Sequence, residues 1–126
     1  MKKVLLLVLV VFLGVAQTQA LNPFGKKTGM REIILVKFKK DVPPAQKEEL
    51  LKLIKELKSA KTIEQVEWGK RVDYSGGTKD YDKCLMLEFK NENNFEVFQA
   101  NPMRVRLIGK LIAMSDRLLQ FTYKIE

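Results

Sequence analysis

The sequence predicts an α+β fold in which helices cover one face of a four-stranded antiparallel sheet. Segments of strand and helix periodicity alternate in the order strand, helix, strand, strand, helix pair, strand. Two of the predicted strands are apolar on both faces, so both faces need a cover. The first twenty residues differ in composition from the rest, which separates a leader from one domain over residues 31–126.

Residues 1–20 have the layout of a secretory signal peptide. Two lysines precede an apolar run from Val4 to Val15, and small and polar residues then lead to a cleavage site after Ala20. The run is shorter than the ~20 residues that a membrane-spanning helix needs. We therefore expect a secreted or periplasmic protein with no stable membrane span after cleavage. The alternative is a membrane-anchored protein that keeps this segment.

The charge pattern indicates a solvated surface. The chain has 23 Lys and Arg against 15 Asp and Glu, a net charge of +8, and loss of two lysines with the leader gives 8 − 2 = +6. Acidic residues lie among the basic ones, so no long block of one sign forms. Together with export, this argues against a nucleic-acid partner. The single cysteine, Cys84, cannot form an internal disulfide, so stability must come from packing or from a second copy.

Residues 21–57 predict a flexible segment, a strand and a helix. Residues 21–30 contain Asn, Pro and two Gly without periodicity, which is typical of a flexible segment. The strand over 31–40 is apolar on both faces, with Ile34, Val36 and Phe38 on one and Ile33 and Leu35 on the other. The helix begins near Pro44, which suits a first turn. Its buried stripe consists of Leu50, Leu53, Ile54 and Leu57.

Residues 63–126 predict three more strands and a pair of helices. Strands over 63–72 and 83–90 are joined by a glycine-containing loop, and a helix from Asn91 is broken at Pro102. A second helix runs to about residue 115, and a strand over 117–126 closes the domain. The buried stripe predicted for that second helix is Val105, Ile108, Leu111 and Ile112. This element order is that of the ferredoxin-like fold.

Six segments carry a resemblance to a known family: REIILVKFKKDV, AQKEELLKLIKEL, VEWGKRV, DYDKCLMLEF, FEVFQANPMRVRL and LLQFTYKIE. In order and spacing they resemble the stress-responsive A/B barrel (Dabb) domain, and more distantly the plant olivetolic acid cyclases. The resemblance implies a dimeric α+β barrel, with two sheets face to face and a small-molecule cavity between sheet and helices. The candidate dimer-interface residues are Ile33, Leu35, Leu85 and Leu87.

The resemblance also implies catalytic positions at which this chain has changed. No histidine occurs in the chain. The positions of the cyclase histidines correspond here to Glu32, Lys83, Asn101 and Arg104, and the position of its tyrosine corresponds to Phe98. Phe98 exchanges no proton, and an arginine stays protonated and is a poor base. We expect Glu32 to pair with Lys83 or Arg104, which favours structure or anion recognition over catalysis.

Two classes of function follow. The first, which the sequence favours, is an exported non-enzymatic homodimer that binds a small apolar or anionic molecule or serves as a stress-related interaction module. The second is a small enzyme of cyclase-like or cofactor-free monooxygenase-like type that uses Glu32, Tyr81 or Arg104. No cofactor is expected, and a chain without histidine and with one cysteine argues against a metal site. The candidate cavity residues are Glu32, Val36, Phe38, Lys83, Phe98, Asn101, Arg104 and Ile108.

Overall fold

The computed structural model describes residues 29–126. Its elements are β1 (Met30–Phe38), α1 (Pro44–Leu57), β2 (Ile63–Lys70), β3 (Lys83–Phe89), α2 (Glu92–Gln99), α3 (Pro102–Met114) and β4 (Ser115–Lys124). The four strands form one antiparallel sheet in the order β2-β3-β1-β4. This arrangement confirms the predicted ferredoxin-like α+β fold.

The sheet begins earlier than the sequence predicts. Met30 is buried and pairs with Phe89 on β3 and with Lys124 on β4. The amide of Ile125 donates a hydrogen bond of 2.8 Å to the carbonyl of Gly29. Met30, the last residue of the segment predicted to be flexible, therefore belongs to the sheet, and Gly29 is hydrogen-bonded beside it. The rest of that segment, the signal peptide and the cleavage site after Ala20 lie outside the described residues.

One face of the sheet carries the core. Directly opposite residues of an antiparallel pair point to the same face. Ile34 lies opposite Leu85 and Glu32 lies opposite Leu87, and both leucines are fully buried beneath the helices. The prediction that Leu85 and Leu87 lie at the dimer interface is therefore wrong. Because β3 is apolar on both faces, its residue types do not reveal which face meets the helices, and only the register with β1 decides it.

The other side of the sheet is not covered by the helices, and we call it the open face. Leu35 lies opposite Cys84 and Ile33 lies opposite Met86, so these two β3 residues take the places predicted for Leu85 and Leu87. Pairing of β1 with β4 extends the surface to the far edge of the sheet. Its apolar and aromatic members are Ile33, Leu35, Cys84, Met86, Leu119, Phe121 and Tyr123.

Helix α3 is rotated relative to its predicted orientation. Of the four apolar residues predicted for its buried stripe, Leu111 is buried and Ile108 is partly buried, whereas Val105 and Ile112 are 63% and 61% exposed. The other buried residues of the helix are Leu107 and Met114. Arg104 lies one turn before Leu107 on the same face, because residues three and four apart are neighbours on a helix. Arg104 thus occupies a core-facing position on α3. A prediction that takes only apolar residues as buried does not assign this position to the buried face.

Candidate functional site

The centre of the candidate site is an ion pair between β1 and α3. The guanidinium of Arg104 donates two hydrogen bonds to the Glu32 carboxylate, with Nη1–Oε1 at 2.5 Å and Nη2–Oε2 at 2.8 Å. The Glu32 side chain is 3% exposed and that of Arg104 is 11% exposed. Within residues 29–126, Glu32 is the one charged residue that is buried. Bidentate pairing of this kind fixes the orientation of both planar groups.

Local structure holds both partners of this pair in place. Glu32 follows Met30 on the helix-facing side of β1, so its carboxylate points toward α3. The guanidinium carbon of Arg104 lies 6.0 Å from the centroid of the Phe98 ring, which is fully buried. This contact adds a cation–π attraction to the ion pair. Of the two partners expected for Glu32, Arg104 is the one that the structure shows.

Lys83, the alternative partner, lies elsewhere. It pairs with Val36, four positions along β1 from Glu32, which corresponds to ~13 Å along the strand. Tyr81 precedes Lys83 and is also remote from the ion pair. Of the three residues named for an enzymatic role, the structure brings together Glu32 and Arg104 and leaves Tyr81 apart.

The apolar candidates for the cavity are packing residues in this structure. Val36 and Phe98 have no exposed surface, and Ile108 is partly buried against the same core. Phe38 lies at the edge of the core, where its ring centroid is 6.3 Å from that of Trp68. Side chains, rather than an open space, therefore fill the region between sheet and helices at these positions.

Asn101 has a local structural role. Its side-chain oxygen accepts a hydrogen bond of 2.9 Å from the amide of Met103 and so caps the N-terminus of α3. Asn91 caps α2 in the same way through the amide of Asn94, at 2.8 Å. Such caps satisfy amides that a helix leaves without internal partners. The cap on α3 also sets the turn from which Arg104 reaches Glu32.

Sequence reasoning missed a pocket on the open face of the sheet. It has a volume of about 140 Å³ and is lined by Leu35, Lys70, Arg71, Thr78, Tyr81, Asp82, Lys83 and Cys84. Four of these eight residues, Arg71, Thr78, Tyr81 and Asp82, belong to the loop that joins β2 to β3. Periodicity within single strands does not indicate where a loop folds over a sheet, so the sequence carried no signal for this pocket.

The thiol of Cys84 is less acidic than an ordinary cysteine. Partial burial is the main cause that raises its pKa, and the negative charge of Glu67 raises it further. Both effects disfavour the thiolate, which is the reactive form. Cys84 therefore acts as a small packing residue on the open face.

Two further properties concern the described part of the chain as a whole. Within residues 29–126, no group of three or more His, Cys, Asp or Glu side chains is arranged to hold a metal ion. None of the helices formed by these residues is long and apolar enough to cross a membrane.

Solved structures with the same fold include enzymes and proteins of unknown function. The hydroxynitrile lyase from Passiflora edulis is 14% identical, with a TM-score of 0.70, over 79% of this chain and 95% of that one. A dimeric ferredoxin-like protein of unknown function from Thermobifida fusca is 18% identical, with a TM-score of 0.65, over 82% and 97%. The cofactor-independent oxygenase SnoaB from Streptomyces nogalater is 12% identical, with a TM-score of 0.61, over 79% and 94%.

At these identities the solved structures support the fold alone, because one fold hosts many functions. None of the curated proteins matches the chain in sequence. The model of the family described as Stress responsive A/B Barrel Domain matches residues 30–125, which is nearly all of the described chain. The protein therefore belongs to the stress-responsive A/B barrel domain family.

Proposed function

We propose that the protein is an exported, non-catalytic homodimer that acts as an interaction module through its assembled surface. The observation that carries this proposal is the buried, bidentate Glu32–Arg104 pair. It occupies the two positions at which the resembling cyclases would exchange protons. In this chain the two residues at these positions are hydrogen-bonded to each other.

The pair is poorly suited to acid–base catalysis. A general base must reach the proton that it removes, within hydrogen-bond distance of the substrate. Both carboxylate oxygens of Glu32 already accept hydrogen bonds from Arg104. Breaking the pair would leave a buried charge without its partner, which is strongly unfavourable. The same geometry is well suited to fastening α3 onto the sheet.

The open face supports the homodimer. Phe121 is 61% exposed and Leu119 is 47% exposed, and both lie on the side of the sheet without helices. A contiguous exposed apolar surface usually marks an interaction site. Several structures with this fold are described as dimeric ferredoxin-like proteins of unknown function. A second copy that packs sheet against sheet would cover this surface on both chains.

Export rests on the composition of residues 1–20, which leads us to place the protein in the periplasm or outside the cell. A small apolar or anionic ligand is a further part of the proposal. Its support is the family resemblance alone, because side chains fill the region around Phe98 and the guanidinium of Arg104 is paired with Glu32.

Native mass spectrometry of the protein, produced from its full sequence and recovered after export, tests these points together. We expect a particle of two chains, each shortened by the leader. A retained small molecule would appear as added mass and identify the ligand. A monomer of uncleaved chains would contradict both the homodimer and the export.

A second candidate function is a small enzyme. The observation that favours it is that two structures with this fold are described as a hydroxynitrile lyase and a cofactor-independent oxygenase. Under this alternative, Glu32 or Arg104 would have to leave its partner when substrate enters. The same mass spectra distinguish the two cases. A bound molecule that the wild-type protein converts and the Glu32→Gln variant retains unchanged would favour the enzyme.

A further inference from the structure

We propose that, in the homodimer, Phe121 of each chain fills the pocket that the other chain forms between Leu35, Tyr81 and Cys84. This inference rests on the proposed homodimer and names the contact that sets how the two sheets meet. It joins two features that the monomer leaves unexplained, an empty depression and a protruding aromatic ring.

The pocket opens on the face that a partner would cover. Leu35 and Cys84 are directly opposite each other on the open face, and Tyr81 lines the pocket from the loop between β2 and β3. The volume of the pocket is about 140 Å³. A cavity of about 150 Å³ accommodates a benzene molecule. The pocket therefore matches the ring of a phenylalanine side chain in volume. Its lining also includes the charged side chains of Lys70, Arg71, Asp82 and Lys83.

Phe121 is presented in a form that suits insertion. Its ring stacks on that of Tyr123, with centroids 6.0 Å apart and planes at 28°. The Tyr123 hydroxyl accepts a hydrogen bond of 3.1 Å from Arg31, whose Nε is 2.7 Å from the Glu88 carboxylate. A ring that is held before association loses less conformational entropy when it binds.

The positions of ring and pocket fit a two-fold axis. The ring stands on β4 at one edge of the sheet, and the pocket lies on the other side of β1, where Leu35 and Cys84 meet the loop that joins β2 to β3. A two-fold axis that passes near β1 places each ring over the opposite pocket. The two contacts are then identical, as a closed symmetric dimer requires. Lys70 and Lys83 line the same pocket and supply positive charge that is attracted to an aromatic face, whereas the charge of Arg71 is paired with Asp73 and Asp82.

The single native cysteine makes this contact accessible to thiol cross-linking. Sheets packed face to face lie about 10 Å apart, which exceeds the ~7 Å between Cα atoms that a disulfide can span. The probe is therefore a bismaleimide that bridges about 10 Å between two thiols. With this reagent, the Phe121→Cys variant should form a covalent dimer on a denaturing gel, through Cys84 of the partner subunit. Thr122→Cys, whose side chain lies on the helix-facing side of the same strand, is the matched control and should stay uncrosslinked.

Two controls complete the cross-linking experiment. The Phe121→Cys/Cys84→Ser variant should also stay uncrosslinked, which excludes a bridge between the two introduced thiols. A Phe121→Ala variant should show a dimer Kd at least about tenfold higher than that of the unchanged chain, because rings that fill pockets dominate interface affinity.

Measurements on the unchanged chain keep the two proposals separate. In a dimer of one isotope-labelled and one unlabelled chain, nuclear Overhauser effects should connect the Phe121 ring of one chain with the Leu35 methyl groups of the other. A dimer without these effects and without the thiol cross-link would overturn this inference and leave the homodimer standing. A monomeric unchanged chain would overturn both.

Discussion

Glu32 and Arg104, which are 72 positions apart in sequence, join the first strand to the last helix through two charge-assisted hydrogen bonds. Their side chains are 3% and 11% exposed, so the pair is largely removed from water. A buried ion pair of this kind gains little over an apolar pair, but the removal of one partner is strongly unfavourable. This asymmetry makes the structural role of the pair testable.

The Arg104→Met variant should be markedly less stable than the wild-type protein. It leaves the Glu32 carboxylate buried without a partner, and we expect the free energy of unfolding to fall by about 3–5 kcal/mol. Urea denaturation followed by circular dichroism measures the change. Replacement of both residues by methionine should recover most of the loss, because no unpaired charge then remains.

Arg106→Met is the matched control for this experiment. Arg106 lies on the same helix, but its side chain is 61% exposed and its nitrogen is 3.9 Å from the Glu56 carboxylate. An exposed pair at this distance contributes little, so the change should stay within about 0.5 kcal/mol. Equal losses in the two single variants would contradict the structural role of the Glu32–Arg104 pair.

The Asn101→Ala variant separates a cap from a ligand contact. Loss of the hydrogen bond to the amide of Met103 should lower the free energy of unfolding by about 1 kcal/mol. Asn101→Asp should retain stability, because aspartate caps helices about as well as asparagine. Asn91→Ala, which removes the corresponding cap of α2, should cause a loss of similar size. Full stability of Asn101→Ala would show that the cap does not hold α3.

The reactivity of Cys84 should rise with pH later than that of an ordinary thiol. Burial and the charge of Glu67 both raise its pKa. We therefore expect the midpoint of its alkylation rate against pH to lie above the ~8.5 of a free cysteine. Glu67→Gln removes the nearby negative charge and should move the midpoint down. Glu64→Gln, at an exposed position on the same strand, should leave it unchanged. A wild-type midpoint below ~8.5 would contradict the environment described here.

The order of the elements could be predicted from the sequence because strand and helix periodicities differ clearly along it. The register of β3 could not. Both faces of that strand are apolar, so Leu85 and Cys84 are equally plausible partners for a second sheet until their pairing with β1 is known. The orientation of α3 was missed for the opposite reason, because Arg104 takes a place on its buried face that apolar residues usually fill.

The candidate site was predictable only in part. The family resemblance placed Glu32, Lys83 and Arg104 at positions of the cyclase histidines, and that argument led to Arg104 or Lys83 as the partner of Glu32 without distinguishing them. The pairing of Lys83 with Val36 rather than with a position near Glu32 settled it. The pocket on the open face depends on the loop between β2 and β3, which supplies Arg71, Thr78, Tyr81 and Asp82, and single-strand patterns do not reveal where that loop lies.

Sedimentation of two charge variants tests most directly the claim that the open face joins two chains. Leu35 lies on the open face, whereas Ile112 is a 61% exposed apolar residue on the helix layer. We expect the wild-type protein and Ile112→Glu to sediment as dimers and Leu35→Glu to sediment as a folded monomer, because a buried unpaired carboxylate opposes association. A wild-type monomer, or a Leu35→Glu dimer as tight as that of the wild type, would contradict the account.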